Sequence, residues 1–316
     1  MSRLRLLVTD PRRVARAIAR RLFGLRQAGA TAIGDQTVAS YWTGHNVTSH
    51  EGFPTAAASL EYFEWRNDQY PGYIELMPVT GQDGRVVLDY GCGPGNDLVG
   101  FAVYSRPARL IGMDVSPTSL DEARRRVALH GVTPDLFHLD ERSTRLPLDD
   151  ASVDHVHSSG VLHHIPDPLP VLREFHRVLR PGGSVRIMVY NHDSVWMHLR
   201  AAYLMRALDR RFSGMDLAEV FRRSTDGENC PVSRAYTPSA FCQLAQSAGF
   251  RATFLGAAVS LTELEDLRQK RWEAVSSRAL PAEHRRFLTE LRLDDRGIPM
   301  HGGAVAGIDA CFSLVK

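Results

Sequence analysis

Lysine is almost absent from this chain. Only Lys270 and Lys316 stand among 38 basic residues, an arginine bias that follows genome composition and carries no chemistry. Cysteine is scarce too. Cys92, Cys230, Cys242 and Cys311 lie far apart and form no CxxC pair, which argues against a disulfide scaffold or zinc ribbon and fits a reducing compartment. No uninterrupted apolar run approaches the ~20 residues of a bilayer-spanning helix, so an integral membrane protein is not expected. The net charge of +2 is too small to mark a nucleic-acid binder. What is present is ordinary for a globular chain: 316 residues, 44% hydrophobic and 23% charged. At ~100–200 residues per domain, that makes one large domain or two small ones.

The near-neutral total hides an asymmetry. Residues 1–30 carry eight arginines against the single acid Asp10, a local charge of +7 that leaves the rest at −5. Asp10-Pro11 reads as an N-cap with proline at the first helical position. Val14, Ile18, Leu22 and Leu25 recur at helical spacing among the arginines. This basic amphipathic arm suits peripheral contact with an anionic membrane, or packing on its own domain. Arginines interrupt any apolar stretch, so a secretory signal is not expected, while a mitochondrial transit peptide stays open on composition.

Residues 41–73 hold eight of the 26 aromatics. Thr55 caps a predicted helix over 56–68, and Pro71-Gly72 ends it. Residues 31–84 read as a helical lid over a ligand, with most of the aromatics serving as core.

The strongest signal begins at residue 85. Arg-Val-Val-Leu-Asp-Tyr reads as a buried strand, followed by Gly91-Cys92-Gly93-Pro94-Gly95 and a helix over 96–104. Strand, glycine-rich turn and helix start make a nucleotide-binding corner, because glycines allow close backbone approach and the helix start offers unpaired N–H groups. A dinucleotide fingerprint would need glycine at position 96, where Asn96 stands. A second strand, 109–113, ends in Asp114, positioned to hold both ribose hydroxyls. Ser116-Pro117 starts a helix over 118–130. Strands over 137–139 and 153–158, a helix over 169–179 and a strand over 184–190 continue the alternation, which argues for a doubly wound parallel sheet.

The run 87–95 with Asp114 resembles motifs one and two of the class I S-adenosylmethionine-dependent methyltransferases. The stretch from Leu146-Pro147-Leu148 through Val161-Leu162-His163-His164 to Arg180-Pro181-Gly182-Gly183 resembles the subgroup with ubiquinone/menaquinone C-methyltransferases and small-molecule O-methyltransferases. The resemblance implies a Rossmann-like α/β sheet of about seven strands, the last antiparallel. It also implies S-adenosyl-L-methionine as cofactor. Asp89 and the loop with Gly91, Cys92, Gly93 and Gly95 would face its methionine end. Asp114, with Val115 beside it, would meet the ribose. Asp140 and the Glu141 backbone would meet the adenine, and the Ser158 backbone the amino group. Cys92 is a filler there, with no nucleophilic role.

A hydroxyl acceptor needs a base near its proton. His163 and His164 follow strand four, and His192 follows strand five. The histidine pair is shared across the subgroup, so His192 is the preferred base. His45 and His50 could enter from the lid. His155 and His157 alternate on one strand without a carboxylate or cysteine set, so no metal site is expected.

The chain thus divides into an arm (1–30), a lid (31–84), the cofactor-binding core (85–190), a helical insertion (191–236) and a C-terminal part of the core (237–316). That last part carries a charged helical insertion at 259–305 inside the final hairpin. The expected function is methyl transfer to a small-molecule, sugar or lipid-linked acceptor, at oxygen. It would take place in the cytoplasm, with membrane contact through residues 1–30 and a homodimer both open. No nucleic-acid partner is expected: the Asn/Asp-Pro-Pro-aromatic signature of amino-methylation is absent after strand four, where Ser158-Ser159-Gly160 stands. Methylation of RNA or protein, and a non-catalytic cofactor-binding scaffold, are the alternatives.

Overall fold

The computed structural model describes residues 37–46, 48 and 52–316. The basic arm and His50 lie outside them. Local sequence sets most element starts. Thr37 caps α1 (Val38–Gly44), and Thr55 caps α2 (Ala56–Asp68) by accepting from the Ala58 amide. A single turn, α3 (Tyr73–Leu76), leads into β1 (Val86–Tyr90). After α4 (Asn96–Tyr104) and β2 (Arg109–Asp114), Ser116 caps α5 (Pro117–Ala128) with proline in its first turn. β3 (Asp135–His138), β4 (Val153–Ser159), α6 (Leu169–Val178) and β5 (Leu179–Tyr190) complete the first half.

The expected start of β5 at residue 184 was too late. The helix ends at Val178, ahead of Pro181-Gly182-Gly183; the backbone already pairs at Leu179 with Val153, and a register shift between Val153 and His155 absorbs the glycines.

The sheet has seven strands in the order β3-β2-β1-β4-β5-β10-β6. β6 (Arg251–Ala258) and β10 (Asp309–Val315) close it, β10 running antiparallel to both neighbours. Both faces are buried, and the two-residue period of a strand shows it. Val87 and Leu110 point into one cluster with Leu98, Phe101 and Val127 of α4 and α5. Leu88 and Ile111 point into the other, with Phe175 of α6 and Phe241 of α8 (Pro238–Ser247). The strand order reverses between β1 and β4, and ligands of open α/β sheets bind at such a switch point, beyond the strands' carboxyl ends.

The insertion after β5 opens with a π-helix (Trp196–Ala207), then α7 (Leu217–Thr225). A separate 3₁₀ turn follows at Arg210–Phe212. Between β6 and β10 lie α9 (Leu261–Ser276) and α10 (Ala282–Glu290). A three-stranded sheet of β7 (Arg292–Leu293), β8 (Pro299–His301) and β9 (Ala304–Val305) completes this insertion, where only helix was expected. Glu263 ties the insertions together. Fully buried, it accepts from the Ser260 amide and hydroxyl, from the Trp196 amide at 3.0 Å and from the Ile308 amide at 3.3 Å.

Candidate cofactor and acceptor site

The glycine loop leaves β1 with Gly91, Gly93 and Gly95 all at positive φ. At Gly91 the need for glycine is steric as well: an added Cβ would sit 2.7 Å from Cγ1 of Val161. At Gly93 an added Cβ would meet nothing within 4 Å, so this glycine faces open space rather than protein. The loop is pinned from β2: the Gly91 and Cys92 amides both donate to the Met113 carbonyl.

Asp114, at the tip of β2, is buried. One carboxylate oxygen accepts from the Gly93 amide and the other from the Ser116 amide, each at 2.8 Å. Burial raises its pKa, and the two amides pull the other way. A carboxylate has about four acceptor sites, so capacity remains for two hydroxyls. Asp89 is almost fully buried at the end of β1, with Oδ2 unpartnered among the described residues. Burial first, then Asp97 and Asp114, push its pKa well up. A buried carboxylate oxygen lacking a donor is suited to a cationic ligand, and the open side of Gly93 leaves room for one. Both features fit the ammonium-bearing methionine end of S-adenosylmethionine.

The other expected contacts fall around this corner. Val115 offers its carbonyl to His138 Nε2. Asp140 is exposed and accepts from the Arg142 amide. The Glu141 side chain accepts from the Ala39 amide at 2.7 Å, holding the first turn of α1. The Ser158 hydroxyl donates to the Tyr90 carbonyl and is fully buried. Cys92 is buried and its thiol pKa is pushed well up by burial, as a filler requires.

The structure adds groups that spacing alone did not single out. Arg66, from α2, reaches Asp97 of α4 at 3.1 Å and the Ser159 hydroxyl at 3.0 Å. Burial opposes ionisation of Asp97, but Arg66 and His157 at 3.3 Å hold its pKa well below the usual range. His157 is thus spent on Asp97 and His155 on the Ser184 hydroxyl, so the two do not form a shared ligand pair. Phe63 of α2 packs into the core beside α4.

Beyond β4, residues 162–164 form a 3₁₀ turn. His163 is fully buried, stacks on Tyr190 at 3.8 Å and accepts from the Tyr190 amide. Burial, then His164, push its pKa well down. His164 lies between Trp42 of α1 (ring centroids 4.9 Å apart) and Asp226. Its Nδ1 is 2.6 Å from the Val232 carbonyl, which fixes the proton there, and its Nε2 is 3.4 Å from Asp226 Oδ2. The Tyr190 hydroxyl donates to the same Asp226 oxygen at 2.9 Å. Tyr41 donates to the Asp226 carbonyl and stacks on His45. His192 lies elsewhere: its ring meets His198 of the π-helix, and its Nδ1 is 3.0 Å from Asp193 Oδ1. The three histidines proposed from sequence therefore fall into two groups.

Comparison with known proteins agrees with this corner. Residues 88–187 match the family described as "Methyltransferase domain". A Streptomyces fradiae protein described as an uncharacterized 37.1 kDa protein in a transposon is 36% identical over 139 residues, covering 43% of this chain and 39% of its own length. The ubiquinone biosynthesis O-methyltransferase of Pseudomonas paraeruginosa is 30% identical over 136 residues, covering 42% of this chain and 56% of its own. A solved S-adenosylmethionine-dependent methyltransferase from Mesorhizobium loti is 17% identical, with a TM-score of 0.47, covering 78% of this chain and 97% of that one. The match thus spans about half or less of the curated relatives. Residues 88–187 are thus similar to a methyltransferase domain, and the strand order and the glycine corner fit the class I S-adenosylmethionine-dependent fold.

Proposed function

We propose that this chain transfers a methyl group from S-adenosylmethionine to the oxygen of a small-molecule, sugar or lipid-linked acceptor, with His164 as the base. The observation that carries the choice of base is the arrangement His164–Asp226–Tyr190. Val161, which packs against Gly91, immediately precedes the turn that carries His164. With Nδ1–H committed to Val232, Nε2 keeps a lone pair for the proton of an acceptor hydroxyl. Asp226, 3.4 Å away, then steadies the imidazolium. Trp42 and Tyr190 flank His164 with aromatic rings, an apolar setting that suits a ring-shaped or apolar acceptor. Bound at the glycine corner, the cofactor supplies an electrophilic methyl group on a positively charged sulfur. The chain's part is to hold the acceptor oxygen in line with it and to take its proton.

His164 is preferred to His192 because His192 faces the helical insertion, and to His163 because that ring is sealed from solvent. The helix α1 is the lid in this reading. It runs from Glu141, at the adenine corner, to His164, whereas α2 forms a side wall. The ubiquinone relative's printed activity supports an oxygen acceptor. The +7 charge of residues 1–30 supports an acceptor held at an anionic surface. Among the described residues, no helix is long and apolar enough to cross a membrane.

His164→Gln tests the assignment. Turnover should fall ~10²–10⁴-fold, the usual worth of a positioned base, with S-adenosylhomocysteine affinity unchanged. Turnover within threefold of wild type would remove His164 as the base.

A further inference from the structure

We infer that His192, Asp193 and His198 form a binding site for a divalent first-row transition metal, zinc by the chemistry of the donors. One ring nitrogen of each histidine and one oxygen of Asp193 lie within 4.8 Å of one another. The three come from the loop after β5 and the first turn of the π-helix, on the side of the helical insertion. Nothing in the methyl-transfer reading uses them.

The hydrogen bonding around His198 prepares it as a ligand. Its Nδ1 is 2.9 Å from Nδ1 of His284, so one ring donates and the other accepts. Glu283 Oε1 lies 3.4 Å from His284 Nε2 outside hydrogen-bond geometry, so that nitrogen has no hydrogen-bond partner among the described residues. In the tautomer in which His198 donates, its remaining nitrogen, Nε2, carries a bare lone pair. That nitrogen has no partner among the described residues, in a side chain that is 7% exposed. A buried acceptor with no donor is costly, and a cation satisfies it. Metal-bound histidines are commonly held this way, by an outer partner on the second ring nitrogen. Phe287, stacked on His198 at 3.8 Å, fixes the ring plane.

His192 and Asp193 complete the set. Their ligand atoms are 3.0 Å apart, near the ~3.0–3.4 Å that separates two donors each about 2.1 Å from one ion. The two side chains are 42% and 47% exposed, so they can turn to close the remaining gap to His198. Two imidazoles with one carboxylate suit zinc, and three protein donors leave a coordination position open to solvent or ligand. The pairing of His155 with His157, the only one considered from sequence, plays no part.

The test is a calorimetric titration of untagged, chelator-stripped full-length protein with Zn²⁺, alongside His192→Ala, Asp193→Asn and Cys230→Ser. Cys230 belongs to the other cluster with metal-ligand chemistry, His164–Asp226–Cys230. The expected result is one saturable site in wild type and Cys230→Ser, weakened at least tenfold in His192→Ala and in Asp193→Asn. With Co²⁺ in place of Zn²⁺, visible absorption should appear in wild type and be lost with His192→Ala. No saturable binding in wild type, or binding abolished by Cys230→Ser and untouched by His192→Ala, would overturn the assignment.

Discussion

Replacing Asp114 by alanine should separate cofactor binding from folding. The carboxylate does two jobs: it accepts the Gly93 and Ser116 amides at 2.8 Å each, and in this account it also accepts the ribose hydroxyls. The loop keeps other ties, since the Gly91 and Cys92 amides still reach the Met113 carbonyl, so the variant should fold. A hydrogen bond to a charged acceptor contributes ~1.5–3 kcal/mol. Losing even one from the complex predicts ~10–150-fold weaker binding at about 1.4 kcal/mol per decade. Calorimetry with S-adenosylhomocysteine reads the affinity, and thermal melting of the ligand-free protein reports the fold. A cooperative melt with unchanged affinity would refute the ribose assignment. Asp114→Asn keeps one acceptor oxygen and should fall between the two.

Two glycines of the same loop should behave in opposite ways. Gly93→Ala places its methyl in open space, so the fold should lose only the ~1–2 kcal/mol of a left-handed backbone, while cofactor affinity drops at least tenfold. Gly91→Ala drives its methyl into Val161 and should destabilise the protein more, by melting temperature; the reverse ranking would contradict the loop geometry. Glu263 supplies a pH test. Burial raises its pKa from 4.5 to about 7 against the hydrogen bonds it accepts. The folded state therefore holds a proton that the unfolded chain releases between those values, and this contribution to stability falls as pH rises from 4.5 to 7, then levels. The shift corresponds to about 3 kcal/mol at ~1.4 kcal/mol per unit. Glu263→Gln cannot titrate, so its deficit against wild type in denaturant melts should shrink by that order over the same range. A pH-independent deficit would sink the argument.

The parts of the fold set by local chemistry were legible. Thr55 and Ser116-Pro117 each cap the helix expected of them, because a cap needs only residues three apart. The buried strands around Val87-Leu88 and Leu110-Ile111 announced themselves as apolar runs, and the glycine corner followed from its spacing. β7, β8 and β9 went unseen because two- and three-residue strands carry no period. α1 was missed because seven residues give too little pattern beside an aromatic-rich neighbourhood. The acceptor side was illegible for a different reason. Asp226 reaches Tyr190 across 36 residues and His284 reaches His198 across 86, and only the folded chain brings them together. His192 and His198 are six residues apart in sequence, but only the fold shows that their rings meet.

The most direct test of the account is transfer of label from methyl-labelled S-adenosylmethionine into an extract of the source cells. The extract would be fractionated into lipid, glycan, small-molecule, protein and nucleic-acid pools, with Asp114→Ala as the control. The account predicts label in the lipid, glycan or small-molecule pool, in an oxygen-linked methyl group, with wild type and not with the variant. Label confined to the protein or nucleic-acid pool, or equal labelling by wild type and Asp114→Ala, would contradict it.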